Sequence, residues 1–299
     1  MLSADGFQAK FTRRNGFKLA FSALWARRLG ANESAVPATQ IPDLIRNIPP
    51  RSRNAISGSQ FAEFVSNMDR REREHAILGQ LREGNLPDFS RKLVPVQLRS
   101  NIAAATIFVM PEYLSIGSDR DFLRIPMNFH TAVAIADHFH FVLPTKKIVD
   151  AIYNQSVGQF TPQPLPAGPQ MTSTRYYRMH NAMIDTQSEA RDFRRNALVA
   201  GHKKDVVLTN RLLRNPGRIA IYGWHRAPGM PIQPLSTLHG AGYVDYSHGI
   251  RLVAPMALME GRMRSVQEIL KDSELAAALS DEGVIHVASI FSSAIFSNA

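Results

Sequence analysis

Apolar and polar positions along this chain follow first a helical period and then a period of two. After Ser57-Gly58-Ser59, Phe61, Phe64, Val65 and Met68 share one helical face, and residues 76–81 form a second helical pattern. Between them, residues 70–74 form a charged run, expected to be a solvated helix face. Gly84-Asn85 and Pro87 stop the second pattern. Residues 94–98, 104–110 and 113–117 then predict strands, and 122–127 follows a polar turn at 118–121. Helical spacing returns from Thr131 to His138 and over 146–155, where Thr145 is the expected N-cap and Ile148, Ile152 and Tyr153 the apolar face.

Residues 161–169 (TPQPLPAGP) hold four prolines and predict a rigid connection. Beyond it, 186–196 has a polar helical pattern, and 206–209, 219–222 and 251–256 are strand-like. Residues 262–270 and 273–279 look helical, and the apolar tail 284–296 is expected to return to the core. No regular alternation of strand and helix, G-x-G-x-x-G or P-loop is present. The fold class is therefore α+β, with a helical N-terminal part packed on a mixed or antiparallel sheet built mainly from the middle and C-terminal thirds. The expected segments are a leader at 1–38, a helical and strand segment at 39–160 and a strand-rich segment at 170–299; 39–299 as one domain is the other reading.

Composition narrows this picture. Of 299 residues, 44% are hydrophobic and 20% charged, as in a folded globular protein. No apolar run approaches the ~20 residues of a membrane span. The net charge is +10, and residues 1–100 hold 16 Lys and Arg against 9 Asp and Glu. Such a surplus suits an anionic or envelope polymer as partner, or else a solvated basic face. No zinc-finger spacing or RNP-like motif accompanies it, which argues against nucleic acid. The chain has no cysteine, so disulfides, thiolate nucleophiles and thiolate metal sites are excluded.

Residues 13–38 begin with Arg13-Arg14, pass through a short apolar stretch and end in small residues. TRRNGFK resembles a twin-arginine export motif, which implies a periplasmic or extracellular protein. An amphipathic helix with Phe17, Phe21 and Leu24 on one face is the alternative, with a cytoplasmic location.

Candidate chemistry gathers in residues 219–253, which hold His225, His239 and His248 among glycines, with Asp245, Ser247 and Arg251 between them. Three histidines and a carboxylate are the residue types of acid–base catalysis or of a zinc site. HGAGYVD, from His239 to Asp245, resembles the metal motif of D,D-peptidases, with Gly242 three residues after the histidine. It departs from that motif in a His–Asp spacing one residue short and in Trp224-His225 preceding it. The resemblance implies zinc as a cofactor; the residues themselves leave the metal unknown. In a metal-free reading Ser247 is an optional nucleophile, and His225, His239 or His248 the base. A strand sends Ser247 and His248 to opposite faces, so they cannot pair with each other there.

Lys204, Asp205, Trp224, Tyr246 and Arg251 are the candidate substrate-binding residues, with Lys204 and Arg251 as partners for anions. His130, His138 and His140 are read as surface or packing histidines. The expected function is hydrolysis of an amide or ester bond in an envelope polymer or peptide by an exported enzyme. The alternative is a non-catalytic envelope or surface protein that binds an anionic polymer.

Overall fold

Two reciprocal side-chain caps start the helical part. In a computed structural model, which describes residues 44–191 and 193–296, the Ser57 side chain accepts from Gln60 N and the Gln60 side chain from Ser57 N. That box opens α1 (Gly58–Phe64), and an equivalent Asp69/Glu72 box opens α2 (Arg70–Arg82). The charged run and the second helical pattern are thus one helix. Its charged face is not simply solvated: Arg73 and Glu74 are buried. Arg73 donates to Thr172 O at 2.9 Å and lies over the Tyr177 ring, while Glu74 accepts from Asn128 N. Burial pushes the Glu74 carboxyl up to about 7. Phe64, expected inside, is 58% exposed at the helix end.

The antiparallel strands β1 (Val94–Arg99) and β2 (Ala104–Val109) follow, then the hairpin of β3 (Ser115–Gly117) and β4 (Phe122–Arg124). Helix α3 (Phe129–Phe139) starts two residues before Thr131, because Asn128 Oδ1 caps it by accepting from Thr131 N at 2.9 Å. Helix α4 (Lys146–Gln155) has the expected Thr145 cap and buries Ile148, Ile152 and Tyr153. Next come β5 (Gly158–Gln159), the proline-rich connection and α5 (Thr174–Glu189). Helix α5 ends where the 186–196 pattern led one to expect a helix to be starting.

The remaining elements are β6 (Val199–Ala200), β7 (Lys204–Val206), α6 (Arg211–Arg214), β8 (Ile221–His225), β9 (Pro231–Ser236) and β10 (His248–Gly249). They are followed by β11 (Met256–Met259), β12 (Arg262–Ser265), α7 (Val266–Lys271) and α8 (Val287–Phe296). Residues 251–256 form no regular strand; Val253 only bridges Val109 and Val142, and the strand begins at Met256. The helical pattern at 262–270 divides into β12 and α7. In α8, Ile290, Phe291 and Ala294 are buried, and Ala294 O lies 2.6 Å from His130 Nδ1 on α3.

The fold is α+β. One antiparallel sheet has the order β1-β2-β11-β12, and a mixed sheet has the order β10-β7-β8-β9. The described residues form one unit, so both sides of the proline-rich connection share it. No helix among the described residues is long and apolar enough to cross a membrane. The leader expected at 1–38 lies outside the described residues.

The mixed sheet positions the chemistry. Strand β7 sits between β10, paired in parallel with His248 opposite Lys204, and β8, paired antiparallel with Gly223 opposite Lys204. Gly249 lets β10 close onto the core: a Cβ there would lie 2.6 Å from the Tyr113 ring and 2.8 Å from Lys203 Cβ. Gly249→Ala is therefore expected to cost about 2 kcal/mol or more, measured as a lower midpoint in urea unfolding. A midpoint equal to wild type would show that β10 is not clamped there.

Candidate functional site

Alternation along β7 and β10 divides the candidate residues between two faces. His248 and Lys204 share one, and Asp205 lies with Gly249 on the other. A register shift between Ile221 and Gly223 interrupts β8, and Gly223 (φ 106°) and Trp224 (φ 55°) take left-handed backbone there. This conformation is costly for a bulky residue such as Trp224. It accompanies a ring placed beneath the Lys204 ammonium, which lies 5.1 Å from the ring centre.

On the first face His248 is fully buried, and neither ring nitrogen has a hydrogen-bond partner. Asp245 Oδ2 is 3.9 Å from His248 Nε2, too far for a hydrogen bond. The Asp245 carboxylate is hydrogen-bonded to other groups. Oδ1 accepts from Ser247 N at 2.8 Å and from Ser247 Oγ at 2.5 Å, and Oδ2 accepts from Tyr243 OH at 3.2 Å. His239, half-buried, stacks on Tyr243 with ring centres 4.2 Å apart, and Tyr243 meets His248 edge-on. Ser247 is thus not paired with a base: its buried hydroxyl orients Asp245.

Burial lowers His248 to about 4; Asp245 pulls the other way, while Lys204, His239 and Lys203 push in the same direction as burial. Burial alone would raise Asp245. A protonated His248, Lys204 and the bonds from Ser247 outweigh that and hold it below the usual carboxylate range. The pair at neutral pH is accordingly a neutral imidazole beside a carboxylate.

Lys203 and, from a distant part of the sequence, His180 extend this surface beside Trp224. Lys203 is fully buried and donates to Tyr246 O at 2.7 Å, with His180 Nδ1 3.4 Å away. Burial and Arg124 push Lys203 down to about 7. His180, from α5, packs edge-on against Trp224 and Tyr246 and is held well below the usual imidazole range by burial and by Lys203. Trp224 Nε1 and His180 Nε2 are buried without partners. A buried polar group in that state costs about 1–3 kcal/mol. The Tyr246 hydroxyl accepts from Leu165 N at 2.7 Å and so anchors the proline-rich connection.

The opposite face gives several sequence candidates a different role. Tyr113 OH donates to Asp205 Oδ2 at 2.8 Å, and burial raises Asp205 to about 6 although Arg251 and Tyr113 oppose it. His225, expected beside His239 and His248, instead places Nε2 2.9 Å from Asp150 Oδ1 on α4 and stacks on Tyr153. Asp150 also accepts from Tyr222 OH and Lys146 Nζ. Arg251 is not a substrate clamp. It is fully buried, donates to Met110 O at 2.8 Å and Val199 O at 2.7 Å, and lies over the Tyr113 ring. Behind it, Glu112 accepts from Arg124 Nε and lies 2.7 Å from His202 Nε2, and Arg124 also reaches Asp185.

The ligand set implied by the D,D-peptidase resemblance is not assembled: His225 is on the wrong face. Among the described residues no three His, Asp or Glu side chains converge to hold a metal ion. The donor set therefore does not fit zinc.

Family models, curated proteins and solved structures give no match to this chain.

The first face thus retains His248, Asp245, Lys204, Trp224, Tyr246 and His239 from the sequence candidates. Sequence reasoning missed His180, Lys203 and Tyr243 as wall residues, and Asp150, Tyr113 and Glu112 behind them. The HKKD run was a signal for Lys203; Asp150 and His180 lay within helical patterns and carried none. Arg251→Met is expected to cost about 3 kcal/mol or more, since it strips two buried carbonyls of their donor. Chemical denaturation would read this, and a loss below about 1 kcal/mol would contradict the structural role.

Proposed function

We propose that this chain hydrolyses an amide or ester bond, with His248 as general base and acid and Asp245 as the carboxylate that favours its protonated form. The observation that carries the reading is the buried, neutral His248 ring with both nitrogens unpartnered beside an oriented carboxylate. Such a nitrogen takes a proton from water as the water oxygen bonds to the substrate carbonyl carbon. When the bond from that carbon to the leaving nitrogen or oxygen breaks, the imidazolium returns the proton to the leaving atom. Asp245 stabilises the imidazolium between these steps. Tyr243 and His239 separate the ring from solvent, which strengthens each charge interaction inside. Ser247 takes no part as a nucleophile in this scheme.

The substrate class is a peptide or anionic envelope polymer, supported by the +10 net charge and by the half-buried Lys204 at the site. Export through the twin-arginine-like leader belongs to the same proposal.

A second reading, anionic polymer binding without turnover, has its own support. Two cavities of about 410 and 480 Å³ share Arg178 and Ala182 on α5; Arg120 and Arg195 line the first beside Asp121, Asp185 and Glu189, whereas the second has Arg175 and Arg178 with no acidic residue in its lining. Steep loss of polymer binding with salt, together with no turnover, would favour it.

In a screen of fluorogenic amides, esters and labelled envelope polymer, His248→Asn should lower kcat by about 10²–10⁴-fold. Ser247→Ala, which removes a hydroxyl that serves Asp245, should lower it less than about tenfold. A base must be neutral to act, so kcat/KM should rise with pH through about 4 and be level at neutral pH. No turnover across the screen, or turnover indifferent to His248→Asn, contradicts the proposal.

A further inference from the structure

The first face contains more buried hydrogen-bond donors than acceptors. The indole N–H of Trp224 can only donate, and it is buried without an acceptor. His180 Nδ1 faces Lys203 Nζ at 3.4 Å, and Lys203 also donates to Tyr246 O. With a lysine donor at Nδ1, the proton of the neutral ring sits on Nε2, and that N–H too has no acceptor. The two rings touch edge-on, with centres 6.2 Å apart, and both pack on Tyr246. Lys204 adds an ammonium over the Trp224 ring, and its charge also acts on Asp245. Asp245 does not fill the gap, because its oxygens already accept from Ser247 and Tyr243.

Two unused N–H groups beside an ammonium suit a ligand with acceptor oxygens and negative charge. We infer that this wall binds a carboxylate of the substrate, with Trp224 Nε1–H and His180 Nε2–H donating to its oxygens and Lys204 balancing its charge. Two directed donors suit the two oxygens of a carboxylate, whereas a phosphate needs more. The inference rests on this face being the substrate site, and it narrows the substrate to an amide or ester carrying a free carboxylate near the bond that is cut. The left-handed backbone at Trp224 belongs to the same arrangement, since backbone strain of this kind gathers at ligand clamps.

The test uses the indole N–H resonance. The chain has two tryptophans, Trp25 and Trp224, so Trp25→Phe identifies the Trp224 signal in the full-length protein. N-acetylglycine, a small carboxylate, is titrated up to about 100 mM, a range that captures millimolar binding, against its neutral amide, N-acetylglycinamide. The expected result is a saturable downfield shift of the Trp224 indole proton with the carboxylate and at least tenfold weaker binding of the amide. Lys204→Met should weaken carboxylate binding at least tenfold, and His248→Asn should retain it. No saturable shift, equal binding of the amide, or wild-type binding by a folded Lys204→Met protein overturns the inference. Binding is read without turnover, so carboxylate binding with no hydrolysis would defeat the hydrolase reading alone. His248-dependent hydrolysis with no preference for the carboxylate would defeat this inference alone.

Discussion

Arg251 donates to the carbonyls of Met110 and Val199, and its guanidinium lies 4.3 Å from the centre of the Tyr113 ring. These contacts tie the segment after β10 to the end of β2, to β6 and to the loop that carries Tyr113. The position of β10 follows from them, because Gly249 sits so close to Tyr113 that no side chain fits between. His248 precedes Gly249 on that strand and takes its place from the same clamp. An isolated buried guanidinium would be costly; here Glu112 and Asp205, both buried, supply the compensating charge. The chemistry of the first face therefore depends on an ion network behind the sheet.

The buried groups on the two sides of that sheet differ in how far they are paired. Behind it, charges are paired: Glu112 with Arg124 and His202, Asp150 with His225 and Lys146. On the first face, burial holds His248 and His180 neutral and leaves both His248 nitrogens, His180 Nε2 and Trp224 Nε1 without partners, whereas behind the sheet Arg251 Nε and His202 Nδ1 are the unpartnered atoms of otherwise paired groups. Satisfied networks rigidify a fold, whereas unsatisfied buried donors and acceptors are the positions where a ligand gains most. The proposed chemistry is placed on the first face for that reason, with the paired network behind it as support.

Much of this architecture was legible locally. Ser57 and Thr145 mark helix starts because a cap is decided within four residues, and the period of two over 94–98 matches β1 for the same reason. Helix α5 was displaced in the sequence reading because its buried positions include Thr174, His180 and Asn181, which carry no apolar period. Residues 251–256 resembled a strand through Leu252 and Val253, but their burial serves bridges and the Arg251 clamp instead. Within the site, Lys204, Trp224, Asp245 and His248 come from the segments singled out by residue type. The separation of His225 from His248 was not legible, since it depends on the bulge and the left-handed residues at Gly223 and Trp224. Nor was the contribution of His180, which reaches the site only through tertiary packing of α5.

The central claim is that His248 is a buried, neutral base whose proton affinity is lowered by its surroundings. Its ring can be followed directly by ¹⁵N-edited NMR of the folded protein, with His248→Asn to identify the signal. The ring should stay neutral as pH falls through the ordinary imidazole range and titrate only near 4. Titration near 6.5, where an unperturbed imidazole changes charge, would contradict it.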